Sequence, residues 1–129
     1  MSQENVDAVR EAYEALSTKG IDAFSDFWAE QIEWQTMRDR WRGRQAGRAY
    51  LQDLADPFDD FTSEPVDIID VDDEHVIVYL RYGGRSKRGN VAIPSEYFAT
   101  VLRIRNGKIT QALEFASREE ALEAVGLSE

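Results

Sequence analysis

The sequence contains no cysteine and one histidine. Without thiols there is no disulfide, thiolate metal ligand or cysteine nucleophile, and a lone imidazole cannot supply a multi-histidine metal site. No loop has the calcium-binding pattern, and no glycine-rich stretch has the strand–turn–helix setting of a nucleotide cradle. No run of about eighteen apolar residues occurs, which argues against a membrane span. The opening MSQENVDAVR is acidic and lacks the apolar region of a signal peptide. Basic charge is the minority sign: 15 Lys and Arg against 25 Asp and Glu leave a formal net charge of −10, which opposes a polyanionic partner such as nucleic acid. No cofactor and no metal are therefore expected, and the plain expectation is a cytoplasmic protein with neither nucleic-acid nor membrane partners.

What is present suits one domain over residues 1–129, because 43% hydrophobic residues can build one core and no repeat or low-complexity linker divides the chain. Val6, Val9, Tyr13 and Leu16 recur at helical spacing, with Glu4, Asp7 and Glu11 on the other side. Gly20 ends this helix. Ile21, Phe24, Phe27 and Trp28 predict a second helical stripe, and residues 31–36 a short strand with Ile32 and Trp34 on one face. Residues 45–55 predict a third helix limited by Pro57.

The pattern then turns to strands. Residues 65–71 and 75–82 predict a hairpin around an acidic turn, with Val76, Val78 and Leu80 on one face and Ile77, Tyr79 and Arg81 on the other. Gly83, Gly84, Gly89 and Asn90 bracket a basic turn, residues 91–93 and 97–105 predict an interrupted or bent strand, and Pro94 favours an edge or bend there. Asn106–Gly107 suits a primed turn into a strand over 108–116. Ser117 with Glu120 forms a capping box for a last helix that Gly126 terminates. Three early helices before a mainly antiparallel sheet describe an α+β domain. Apolar groups on both faces of the 75–82 strand suggest self-association as a homodimer through the sheet.

Residues 97–109, YFATVLRIRNGKI, followed by SREEALEAVGL, resemble the closing strands and last helix of SnoaL-like proteins in the nuclear transport factor two-like superfamily. The opening VREAYEALSTKGIDAFSDFWAEQIEWQ resembles that family's first helices and strand, so the likeness spans nearly the whole chain. It implies a cone-shaped, curved, mostly antiparallel sheet packed against three N-terminal helices, with a short C-terminal helix, a deep pocket and frequent dimerisation. The fold hosts cyclases, steroid isomerases, epoxide hydrolases, dehydratases and non-catalytic interaction modules, so it does not by itself name an activity.

Tyr13, Trp28, Trp34, Trp41, Tyr50, Phe58, Tyr79 and Tyr97 supply aromatic surface for a small organic ligand or, equally, for an ordinary core. The expected ligand is hydrophobic or of mixed polarity. Tyr13 can donate to a carbonyl or enolate oxygen, or simply pack with its hydroxyl at the solvent edge. The steroid-isomerase pattern asks for an Asp at the end of the first strand, and Ile32 to Thr36 has none; Glu33 alternates away from Trp34. The cyclase pattern asks for a proton-moving carboxylate. Glu114, which shares a strand face with Thr110 and Ala112, is the candidate, its bland alternative being a solvated residue or an ion pair with Arg103. The epoxide-hydrolase pattern needs Asp, Arg and Asp; Arg81 with Asp67 or Asp70 has the right types, which also suit plain cross-strand pairing. Arg38, Arg40, Arg42, Arg44 and Arg48 can bind a small anion or make salt links with the acids that follow, and His75 sits in an acidic turn.

Overall fold

The computed structural model describes residues 2–59, 61–87 and 92–126. Helix α1 (Ser2–Lys19) buries Val6, Val9, Ala12 and Tyr13 along one face, with Glu4 in its first turn and Lys19 in its last, as the helix dipole favours. Gly20, at φ 103°, reverses the chain into α2 (Ile21–Ser25). The helical stripe expected to reach Trp28 stops short of it. Phe27 O accepts from Ile109 N at 2.9 Å and Trp28 already opens strand β1 (Trp28–Gln35), because a sheet partner is available there. Of the stripe Ile21, Phe24, Phe27 and Trp28, the first two lie in α2, Phe27 in the turn after it and Trp28 in the strand.

The structure adds a strand that the sequence reading passed over, β2 (Arg40–Arg42), which pairs antiparallel with β1 and sets Trp41 opposite Trp34. Thr36 turns this hairpin by accepting from the Arg38 and Asp39 backbone N–H groups. Helix α3 (Arg44–Ala55) follows. Its Gly47 is buried, and a Cβ there would lie 2.8 Å from the Trp28 ring. That glycine lets α3 settle on Trp28.

Strands β3 (Thr62–Asp70) and β4 (His75–Arg85) form the expected hairpin, its turn tied by Asp72, which accepts from the Glu74 and His75 backbone N–H groups. Of the two alternatives for strand β5 (Ala92–Arg105), interrupted or bent, the structure shows a continuous strand with an irregularity in its pairing. The irregularity around Pro94 is a shift in the β4–β5 register between Tyr82 and Gly84, as a residue without an N–H requires. Gly89, Asn90 and Val91 lie outside the described residues. Asn106 at φ 53° and Gly107 at φ 76° make the primed turn into β6 (Lys108–Phe115). Ser117 Oγ accepts from Glu120 N at the start of α4 (Arg118–Ala124), and Gly126 follows at φ 82°.

The six strands run in the order β2-β1-β6-β5-β4-β3, and the β1–β6 pairing is parallel while the others are antiparallel. The expectation of a cone-shaped, curved sheet is corrected here. The sheet is open, neither closed nor strongly curled, with β2 and β3 as its two edges. Three-residue β2 offers little to pair with, while α1 packs on β3 and α3 on β1, so helices occupy the space that strand closure would need. The α+β class holds, with a mixed sheet backed by helices.

The main core lies between this sheet and α1 to α3, and includes Val9, Phe24, Trp28, Ile32, Val76, Val78 and Leu102. On the opposite face Ile77, Ala99 and Val101 are covered by Ala121 and Leu122 of α4. The chain's own last helix thus shields part of the apolar face that suggested a second subunit, leaving Tyr97 and Val66 exposed. Among the described residues no helix is long and apolar enough to cross a membrane.

Gly47→Ala is expected to destabilise the fold. Overpacking against Trp28, at about 1–3 kcal/mol, outweighs the gain of up to about 1 kcal/mol from replacing a helical glycine, leaving a loss on the order of 1–2 kcal/mol. Urea denaturation of the two proteins measures it; equal midpoints would show that Trp28 yields without cost.

Candidate functional site

Alternation along β1 from Ile32 sends Trp34 to the helix side of the sheet. Parallel pairing sets Trp34 beside Ala112 of β6, and the side chain two residues on, Glu114, shares that face. Across the β5–β6 ladder Glu114 stands opposite the buried Thr100. Helix α3 then lowers Tyr50 onto the pair. Trp34 Nε1 donates to Glu114 Oε2 at 2.7 Å, and the Tyr50 hydroxyl donates to Oε1 at 3.1 Å with Oε2 at 3.4 Å. Three elements remote in sequence thus meet at one carboxylate.

Aromatic rings build the surroundings. Tyr13 lies 4.9 Å from Phe24, Phe24 5.4 Å from Trp28, and Trp28 5.2 Å from Trp34, each measured between ring centroids. The run continues from Trp34 to Tyr50 at 6.0 Å and from Tyr50 to Trp41 at 5.4 Å. Beside Glu114 is a chamber walled by Tyr13, Phe24, Trp34, Phe61, Phe98 and Leu80, with a free volume of about 20 Å³, room for a water molecule or a small group. It adjoins a groove of about 580 Å³ between α1, α3 and β3. Tyr13, Leu16, Ile21, Phe61 and Ser63 line both.

The electrostatics follow from this enclosure. Burial raises the Glu114 carboxyl above the ordinary glutamate range, opposed by the hydrogen bonds from Trp34 and Tyr50, which favour the anion. Burial, and then the nearby Glu114 charge, hold the Tyr13 phenol well above its usual value. Tyr50 is raised by burial first and by Glu114 second. The pocket therefore holds one acid poised to keep its proton to higher pH, between two phenols that stay protonated.

Of the residues singled out in the sequence, Tyr13, Trp34, Tyr50 and Glu114 converge. Trp28 lies beneath them, fully buried, and Trp41 leans on Tyr50; neither indole N–H has a partner. Phe58 contacts Phe61 at the chamber wall, 5.6 Å between centroids. Tyr79 and Tyr97 stack on each other at 5.6 Å on the far face of the sheet, where Arg118 sits over Tyr79. Arg81 is exposed and ion-paired with Glu64, while Asp67 pairs with Arg118, so the Asp, Arg, Asp grouping does not assemble. Arg103 pairs with Glu74 rather than Glu114. In the basic stretch, Arg42 binds Glu33, Arg44 donates to Trp28 O, and Arg48 donates to Ser25 Oγ. His75 contacts Asp72. Among the described residues no group of three or more His, Cys, Asp or Glu side chains is placed to hold a metal ion.

Sequence reasoning passed over Ser63, Phe61, Phe98 and Thr100 as lining residues. A strand-alternation count would have put Phe98 and Thr100 on the same face as Leu102, but Phe61 and Ser63 reach the chamber only because β3 is an edge strand lying near α1.

The raised Glu114 carboxyl has a thermodynamic sign. The folded chain binds its proton more tightly than the unfolded chain, so this group's contribution favours folding less as pH rises from the ordinary glutamate range through the raised value. Glu114→Gln removes that decline. Denaturant midpoints measured between about pH 4 and pH 8 are expected to gain on wild type as pH rises, and a constant difference at every pH would mean the carboxyl is not perturbed.

Comparison with known proteins places these features in a family. The SnoaL-like domain model matches residues 9–112. The comparison with curated proteins yields no match. Among solved structures, TerC co-crystallized with polyporic acid superposes with a TM-score of 0.74 at 16% identity, covering 95% of this chain and 98% of that one. A protein with a ketosteroid isomerase-like fold from Catenulispora acidiphila, in complex with trimethylamine, gives 0.69 at 19% identity, covering 95% and 92%. An NTF2-like protein of unknown function from Burkholderia pseudomallei gives 0.74 at 17% identity, covering 95% and 98%. At these identities the structures testify to the fold alone. With 104 consecutive positions matched by the family model, the chain belongs to the SnoaL-like family.

Proposed function

We propose that the protein binds a small, largely apolar organic molecule on the helix side of its sheet, with a polar group anchored at Glu114 and the body in the groove beyond. The observation that carries this reading is a partly buried carboxylate, held by Trp34 and Tyr50, in a chamber lined mostly by aromatic and aliphatic side chains. Pockets that are mostly apolar with few convergent polar groups are the usual form of small-molecule sites. Two matched folds were crystallised with small organic molecules, polyporic acid and trimethylamine, which is consistent with this reading.

Titration with the neutral aromatic ketone 1-indanone tests it, read by tryptophan fluorescence because Trp34 forms a chamber wall. A saturable change is expected in wild type and is expected to be lost in Ser63→Phe, which fills the junction of chamber and groove. A response that does not saturate, or one unchanged in Ser63→Phe, overturns the reading.

A second reading, acid–base catalysis, draws on one further observation: the Glu114 carboxyl is raised by burial beside the protonated Tyr13 phenol. Deprotonated Glu114 can take a proton from the carbon next to a bound carbonyl while Tyr13 donates to the developing oxyanion, and the protonated carboxyl can return it. With 1-indanone in deuterated water, exchange at the carbon next to the carbonyl is expected to fall by about 100-fold or more in Glu114→Gln. Equal exchange in the two proteins leaves binding without catalysis.

A further inference from the structure

We infer that the molecule this site takes is a cation, a lipophilic amine whose ammonium head docks on Glu114 between aromatic walls. The inference rests on the small-molecule reading above and specifies the sign of the ligand's charge.

The chamber is built with one charge and no counter-charge. Among the described residues that line it there is no Lys, Arg or His. The groups that meet Glu114 from the packed elements are Tyr13 of α1, Trp34 of β1, Tyr50 of α3 and Thr100 of β5, all neutral. Trp34 and Tyr50 satisfy part of the carboxylate's hydrogen-bonding capacity and none of its charge. Each of its oxygens accepts from a donor of the protein, an arrangement suited to the ionised form, and an indole N–H can only donate. Lone pairs are left over, and Glu114 lines the chamber.

Two further features agree in sign. The walls include the rings of Tyr13, Phe24, Trp34, Phe61 and Phe98, and the negative face of an aromatic ring attracts a desolvated cation. The whole chain has a formal net charge of −10, which draws cations and repels anions at long range. An anionic ligand would meet Glu114 without compensation. A neutral carbonyl ligand can accept from the Tyr13 hydroxyl, but it leaves the Glu114 charge without a counter-charge. The free space beside Glu114 is about that of one water molecule, so the chamber's side chains yield as the ammonium head enters, with the apolar remainder lying in the groove.

The test pairs N,N-dimethylbenzylamine, cationic at neutral pH, with isobutylbenzene, its neutral carbon isostere, using tryptophan fluorescence with both in the same cosolvent. In wild type at pH 7 the amine is expected to bind at least about tenfold more tightly, and its affinity is expected to rise with pH as Glu114 loses its proton. In Glu114→Gln the two probes are expected to converge to within about twofold, with isobutylbenzene binding retained. Equal affinities in wild type, or an amine preference that survives Glu114→Gln, overturn the inference and leave small-molecule binding standing. Failure of both probes to saturate wild type overturns both readings. The wild-type comparison and its pH dependence hold their force even if the variant folds poorly.

Discussion

The tie of one carboxylate to an indole and a phenol organises this molecule. Glu114 comes from the last strand, Trp34 from the first and Tyr50 from the third helix, and their hydrogen bonds bring together chain segments 64 and 80 residues apart. The carboxylate is costly to bury and is tolerated because two donors meet it. In exchange, the face of the sheet that would otherwise be a closed apolar core acquires one polar point, next to a cavity open to the groove between α1, α3 and β3. The remaining aromatic rings can be understood as the frame that keeps this arrangement rigid. Trp28 braces Trp34 from below and is itself backed by Gly47, while Trp41 supports Tyr50 from the β2 edge.

How far this was readable in the sequence depended on how local the determinant was. The Asn106–Gly107 turn and the Ser117 cap depend on backbone conformation and hydrogen bonds within four residues, so their residue types suffice. Helix α1 was similarly plain, since its buried face repeats over the whole element. Trp28 was harder. Its spacing from Phe24 suits a helix, and only the backbone of β6, far along the chain, draws it into a strand. The same parallel β1–β6 pairing, and the short β2 it leaves at the edge, separate the observed open sheet from the cone implied by family likeness.

The site shows the same division. Alternation put Glu114 on the face of Ala112, and periodicity put Tyr13 on the buried face of α1. The identity of Glu114's neighbours was not accessible that way. Arg103, proposed from charge as an ion partner, lies opposite Gln111 in the ladder and reaches Glu74 instead, whereas Thr100 faces Glu114. Arg81, Tyr79 and Tyr97 have pocket-like chemistry and stand on the other side of the sheet, because odd and even positions of one strand serve different layers. Residue type suggested chemistry in each case, and strand parity with long-range register decided location.

The parallel pairing of the first and last strands also constrains when the pocket can come into being. Hairpins β3–β4 and β5–β6 close over short loops, whereas β1 meets β6 only after a chain reversal of about eighty residues. Contacts of such separation are slow to form, since loop entropy is lost before they are gained. During synthesis from the N-terminus, Trp34 and Tyr50 therefore emerge long before the acid they hold, and the aromatic surface around them stays uncovered until β6 arrives. The chamber beside Glu114 is thus a late product of folding, and its completion also seals the core.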